Sequence, residues 1–287
     1  MNNLRFLKNE ISVSDLFNKV GIKKNSLTED LNLKSISSFS NKGNDENLQF
    51  TIAVLNEEPS GITFAPYESA EYQNVIRVEE PKNIFFKIVI WLEKHIGFKP
   101  LHGTHIANTA NVHETAVISS DVQIGEGTTI GAGVVLYPNV KIGNNCIIEA
   151  NTVIGNAGFG VIREQSENLM IPHIGGVLVG DNVRIGALTT IDRGTIGITR
   201  IGNFTKIDDR VHIAHNCNIG TQNIICAGTC IAGSVTVGDG CWLGLGCNVR
   251  QKIHIDHNSN IGIGANIFHD TNNQLNMLGY PAKKLPR

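Results

Sequence analysis

The sequence predicts a mainly β protein, a parallel β-helix of about eight coils preceded by a small N-terminal α/β domain. Two observations carry this. An aliphatic residue recurs at every sixth position over most of the chain from Ile106 onward, and the first hundred residues contain no such repeat.

The repeat runs without a miss from Ile106 through Val112, Ile118, Ile124, Ile130, Leu136, Ile142 and Ile148 to Ile154. It resumes at Val179, Ile185 and Ile191 and then, four residues late, continues from Ile201 through Ile213 and Ile231 to Ile267, giving 24 hexads in all. A period of six matches neither the 3.6 of a helix nor the 2 of an alternating strand. It matches a triangular coil of three hexads, in which residues 18 apart stack on one another. At roughly 4.8 Å per coil the prism would be about 38 Å long. Glycine follows many anchors, as in Ile124-Gly125, Ile142-Gly143, Ile201-Gly202 and Val237-Gly238, where short strands meet tight corners.

The fourth residue after each anchor also points into the prism and is usually small. Cys146, Cys217, Cys241 and Cys247 occupy that offset and read as small buried hydrophobes. Cys226 and Cys230 lie off it, at a spacing poor for a four-ligand zinc site. The six cysteines form no CxxC pair and no loop-rich secreted framework.

Two interruptions leave the prism, residues 155–176 and 194–200, and loops on a rigid solenoid are where sites are usually assembled. In residues 1–100, apolar runs at 50–55 and 75–78 predict strands, 14–20 and 83–95 predict amphipathic helices, and 41–46 predicts a polar loop. The expected organisation is therefore an α/β domain over 1–100, a β-helix over 101–270 and a short tail over 271–287.

A formal net charge of −2, with no Lys/Arg block, offers no broad cationic face for nucleic acid. The N-terminus lacks the apolar core of a signal peptide, and the most apolar run, residues 84–92, is short and broken by Lys87. A cytoplasmic protein with at most peripheral membrane contact is expected.

The densest polar cluster on the ladder is residues 207–220. His215 falls two residues after the anchor Ile213, at a corner where its ring points outward, and one coil later the same place belongs to Gly233. A glycine stacked on a histidine leaves a slot and a backbone N–H beside an imidazole. Acyl transfer from a thioester to an amine needs that pairing, a neutral base for the amine proton and a fixed donor for the oxyanion. Asp208 is the candidate to fix the tautomer from the far ring nitrogen. Arg193, one coil before His215, is a candidate for steering a phosphate or carboxylate, or for a structural ion pair. The plain alternative for His215 is an exposed corner residue, and His212, His254, His257 and His269 leave room for a zinc lyase assembled between chains. A non-catalytic β-helix scaffold is a further alternative.

Four stretches, Ile154-Gly-Asn-Ala-Gly-Phe-Gly160, Ile171-Pro-His-Ile-Gly-Gly176, Thr189-Thr-Ile-Asp-Arg-Gly194 and His212-Ile-Ala-His-Asn216, occur in that order. Together they resemble the UDP-3-O-acylglucosamine N-acyltransferases of lipid A biosynthesis over about residues 100–267. The resemblance implies a cytoplasmic homotrimer of left-handed β-helices with sites between neighbouring subunits, His215 as general base and Gly233 as oxyanion amide. It implies that a 3-hydroxyacyl chain passes from an acyl carrier protein to the 2-amino group of UDP-3-O-acylglucosamine, with no cofactor and no metal. The family's uracil-stacking segment, Phe-x-x-Asn-Pro-Lys-Tyr, is matched here only by Phe39-Ser-Asn41-Lys-Gly-Asn44, one residue tighter and without the tyrosine. A second family histidine aligns with Lys252, so that His254 replaces it only through a local shift. Residues 271–287 do not resemble the C-terminal helices of many members. These departures motivate an alternative, a CoA-dependent N-acyltransferase acting on another nucleotide-linked amino sugar.

Overall fold

In the computed structural model the hexad anchors stack as their spacing demands: Ile207 pairs in parallel with Ile225, Ile213 with Ile231 and Ile219 with Val237. The residues described are 4–22, 31–37, 47–164, 167–271, 276–277 and 279. They divide into two units, one made of Met1–Lys99, Phe159–Ile174 and Thr195–Gly197, the other of Pro100–Gly158, Gly175–Gly194 and Ile198–Arg287.

The second unit is a parallel β-helix whose three faces are sheets of eight, eight and nine strands. Most of its strands are two residues long, one pointing out and one in, and the inward anchors from Ile124 to Ile267 form one continuous buried column. Each buried aliphatic side chain contributes about 1.5–3 kcal/mol. The second inward position of most hexads is filled by small side chains, including Cys146, Cys217, Cys241 and Cys247, all buried and unbridged. Threonine there bonds to a carbonyl at the adjoining corner: Thr128 Oγ1 donates to Gly143 O at 2.8 Å and Thr205 Oγ1 to Gly220 O at 3.0 Å. The buried hydroxyls are thus satisfied, as a dry interior requires.

One corner column explains the glycines that follow anchors. There the side chain of one coil caps the preceding one: Asn144 Oδ1 accepts from Glu126 N at 2.8 Å, Asp181 Oδ1 from Asn144 N at 2.7 Å, and Asp239 Oδ1 from Thr221 N at 2.6 Å. A Cβ on Gly125, Gly143 or Gly220 would collide with that capping oxygen.

The two interruptions widen the stacking interval. Ile154 pairs with Ile191 across the longer one and Ile191 with Ile213 across the shorter, intervals of 37 and 22 residues against the usual 18. The longer one contains an antiparallel hairpin, Val161–Arg163 with Asn168–Met170.

The first unit is a five-stranded sheet in sequential order, β1 (Leu4–Ser12), β2 (Asn32–Ser37), β3 (Asn47–Phe50), β4 (Ile62–Ala65) and β5 (Val75–Arg77), with only β1 and β2 antiparallel. Helix α1 (Val13–Val20) starts at Ser12, whose side chain accepts from Asp15 N, and stops at Gly21 with φ of 73°. Helix α2 (Pro81–His95) begins with proline at its first position and buries Phe85, Ile88, Val89 and Leu92 along one face. The apolar core of this unit also includes Ile162, Ile171, Ile174 and Ile196, all from the two interruptions of the ladder. The expected strand at 50–55 is corrected: the strand ends at Phe50, and Thr51 instead closes a local turn, its hydroxyl accepting from Ala53 N at 3.0 Å. The expected polar loop at 41–46 lies outside the described residues.

Candidate functional site

The corner that follows the strand His212–Ile213 carries His215, and the corner one coil later carries Gly233. The two are clamped in register, Ala214 N donating to Ile231 O and Ser234 N to His215 O, both at 2.9 Å. The approach is close enough that a Cβ on Gly233 would lie 2.8 Å from His215 Nε2 and 2.9 Å from Cε1. Glycine is required here by contact with the ring and not by an unusual backbone angle.

The tautomer is set locally. His215 Nδ1 lies 2.9 Å from Asn216 Oδ1, an oxygen that only accepts, so Nδ1 is the donor there, and Nε2 is the ring nitrogen that faces Gly233. Asn216 sits at φ of 61°, a conformation asparagine tolerates, and its N–H is held by Thr199 Oγ1 at 2.9 Å.

At other corners the N–H two residues past the anchor is taken by a side-chain oxygen, as from Ala187 to Asp209 Oδ1 at 2.7 Å and from Thr221 to Asp239 Oδ1 at 2.6 Å. Among the described residues the Gly233 N–H meets no such acceptor, while its carbonyl accepts from Lys252 N at 3.0 Å. The arrangement thus offers a basic ring nitrogen, an open slot and a backbone donor, the parts that proton transfer coupled to oxyanion formation needs.

Asp208 is placed elsewhere. It stands at the preceding corner of the coil, where Oδ1 accepts from Asp209 N at 2.9 Å and Oδ2 from Ala227 N at 3.2 Å, so its carboxylate is used in capping a turn. A second carboxylate, Asp192, stands on the preceding coil at the edge that carries His215. It is 6% exposed, and its Oδ2 lies 3.9 Å from Nε2 of His212. Burial pushes Asp192 up to about 6, and the neighbouring His215 acts in the opposite direction. His212 Nδ1 lies 2.8 Å from Thr190 Oγ1, and burial lowers its pKa. The 22-residue interval created by the shorter interruption sets Asp192 at the register of Ala214 and Arg193 at that of His215.

Arg193 follows Asp192 at the same corner column as His215, with its guanidinium carbon 6.0 Å from the centre of the Tyr137 ring. His254 is not brought to His215 within the chain: it lies two coils further along on the next face, paired with Thr236, and its N–H donates to Asp270 Oδ1 at 2.7 Å. Phe39 and Asn41 lie outside the described residues. Among the described residues no three His, Cys, Asp or Glu side chains gather in a metal-holding group, and no helix is long and apolar enough to cross a membrane.

The sequence matches the bacterial transferase hexapeptide model (six repeats) over residues 121–156. A UDP-3-O-acylglucosamine N-acyltransferase from Caulobacter sp. is 38% identical over 146 residues, covering 51% of this chain and 43% of that protein. Its namesake from Shewanella denitrificans is 48% identical over 98 residues, covering 34% and 29%. That from Coxiella burnetii is 39% identical over 165 residues, covering 44% and 48%. The chain thus spans less than half the length of each of these relatives. Its ladder is a hexapeptide-repeat β-helix, and the chain is similar in sequence to the UDP-3-O-acylglucosamine N-acyltransferases.

Proposed function

We propose that the chain is an N-acyltransferase that passes a 3-hydroxyacyl group from an acyl-carrier-protein thioester to the 2-amino group of UDP-3-O-acylglucosamine, a step of lipid A synthesis. The observation that carries the reading is the stack of Gly233 on His215, with Nε2 facing the slot.

In this mechanism the acceptor amine attacks the thioester carbonyl. Nε2 of His215 takes the amine proton as the C–N bond forms, and the carbonyl electron pair moves to oxygen, where the Gly233 N–H meets it. The intermediate collapses with cleavage of the C–S bond, and the imidazolium returns its proton to the departing thiolate. Amide and free thiol are the products, and no cofactor takes part. Arg193 steers an anionic part of the acceptor or donor. Phe39 and Asn41 are the proposed uracil contacts, and His254 serves a site shared with a neighbouring chain of a cytoplasmic homotrimer.

The test offers the purified protein UDP-3-O-acylglucosamine with 3-hydroxyacyl carrier-protein thioesters of several lengths and, separately, acetyl-CoA. Carrier-dependent N-acylation, reduced at least a hundredfold in His215→Ala, is expected. Transfer from CoA alone would assign the site to a CoA-dependent enzyme acting on another nucleotide-linked amino sugar. Full activity in His215→Ala would overturn the mechanism.

A further inference from the structure

We infer that His257 is a proton-operated cap of the ladder: as a neutral imidazole its Nδ1 holds the backbone N–H of Asp239 on the preceding coil, and on protonation it trades that N–H for the Asp239 carboxylate. The inference is independent of the acyl-transfer reading and concerns a different edge of the prism from the one that carries His215.

The corner column that ties each coil to the one before it places His257. Two residues past the anchor, that column carries Asn144, Asp181, Asn203, Asp239 and His257. In the first four a side-chain Oδ1 accepts a backbone N–H of the preceding coil, from Glu126 at 2.8 Å, Asn144 at 2.7 Å, Asp181 at 2.9 Å and Thr221 at 2.6 Å. At His257 the acceptor is a nitrogen, and Asp239 N lies 2.9 Å from Nδ1. Histidine can stand in because its Nδ1, like the Oδ1 of asparagine, is bonded to Cγ and reaches the same point over the corner. Gly238 leaves room for it, since a Cβ there would lie 2.6 Å from His257 N and 3.0 Å from Cγ.

The two kinds of cap differ in one respect. An amide or carboxylate oxygen accepts throughout the neutral range, whereas Nδ1 accepts only while bare, which makes the neutral ring the Nε2–H tautomer. A proton on Nδ1 turns the acceptor into a donor, and the Asp239 N–H loses its bond. The group that answers the new charge is already in place. Asp239 Oδ2 lies 3.4 Å from Nδ1, while Oδ1 stays engaged with Thr221 N. Protonation therefore exchanges an N–H bond for a charge-assisted contact within one corner.

The titratable groups around the ring leave that exchange open. Asp239 is held below the ordinary carboxylate value, chiefly by the Thr221 N–H, so it titrates well below an imidazole. Asp256, on the same corner, accepts from His257 N at 2.9 Å, and the residue that meets it from the following coil is the uncharged Thr271. Cys241 lies on the inner side, its thiol raised by burial and, in smaller part, by Asp239 and Asp256, and stays protonated.

Two measurements decide it. The first reads the ring by long-range proton–nitrogen NMR of the isotope-labelled full chain at about pH 8, with His257→Asn to assign the signals. The Nε2–H tautomer is expected, and a neutral ring in the Nδ1–H form overturns the cap. The second follows the Asp239 amide resonance from about pH 8 to about pH 5. In the parent it is expected to shift with the same midpoint as the His257 ring. In His257→Asn, where an oxygen caps across this range as at Asn144 and Asn203, the step is expected to vanish. An amide that stays still in the parent, or that shifts as far in His257→Asn, overturns the exchange.

Discussion

Gly233 and His215 touch across one coil: the hydrogen that a methyl would replace on Gly233 points at Nε2, and a Cβ there would sit 2.8 Å from it. Gly233→Ala is therefore expected to displace the ring, since that contact is shorter than van der Waals packing allows. Activity should fall at least a hundredfold, because a misplaced base loses its alignment. The thermal midpoint should change by only a few degrees. An alanine variant with parent-like turnover would show that the slot is not where the acceptor binds.

Asn216 tests the tautomer. Asn216→Gly keeps the positive φ of 61° available while removing the oxygen that accepts from Nδ1. Turnover is expected to drop about 10- to 100-fold with little loss of stability. Asn216→Ala should lose about 1–2 kcal/mol more, the cost of placing an ordinary side chain in the left-handed region. Equal activity in the glycine variant would assign tautomer control to another group.

Asp192 also gives stability a pH dependence of known sign. Its folded value, about 6, stands above the ordinary 3.8, so the folded chain holds this proton more tightly than the unfolded chain does. The group's contribution is fully present below the ordinary value and is lost as pH rises through about 6. Above that the loss reaches about 3 kcal/mol. Asp192→Asn is thus expected to melt higher than the parent at pH 7.5 and at nearly the same temperature at pH 4, where the parent carboxyl is also neutral. A gap of equal size at both pH values would contradict this account.

Thiol accessibility reports the prism interior. Cys146, Cys217, Cys241 and Cys247 are buried among the inward positions, whereas Cys226 and Cys230 are half-buried near the surface. Burial raises the thiols, Cys217 to about 12, which keeps them in the unreactive protonated form. A colorimetric thiol reagent at pH 8 is expected to titrate Cys226 and Cys230 in the native protein and all six cysteines in denaturant. Rapid native reaction of all six would mean that the coils open readily.

Removing an anchor measures how the coils share their core. Ile231→Ala leaves a void among fully buried aliphatic neighbours and should cost about 2–5 kcal/mol, read by chemical denaturation. A loss under about 1 kcal/mol would mean that the column collapses around the gap.

The β-helix was legible because a six-residue period leaves no competing solution, and the inward cysteines followed from the same count. The stacking of Gly233 on His215 was legible for that reason too, being a statement about register alone. Asp208 was misjudged because register says which corner a residue occupies but not where its carboxylate turns, and here it turns to the N–H groups of Asp209 and Ala227. Asp192 and Asn216 were present in the motifs, yet the burial of the one and the left-handed corner of the other are features a period cannot reveal. In the first unit the strand expected at 50–55 failed for a local reason. Its apolar residues look strand-forming, but Thr51 bonds to its own neighbour and turns the chain.

Both interruptions of the ladder leave from the edge of the prism that carries Arg193, His215 and Gly233, and between Ile106 and Ile267 the other two edges keep the period. Elsewhere the chain is a counted frame: dropping one residue would turn every later inward side chain outward until the frame was restored. At this edge alone, length is uncoupled from frame. Loops of new size can be spliced in beside the histidine without disturbing a single anchor, so the surroundings of His215 can diversify while its register with Gly233 stays fixed.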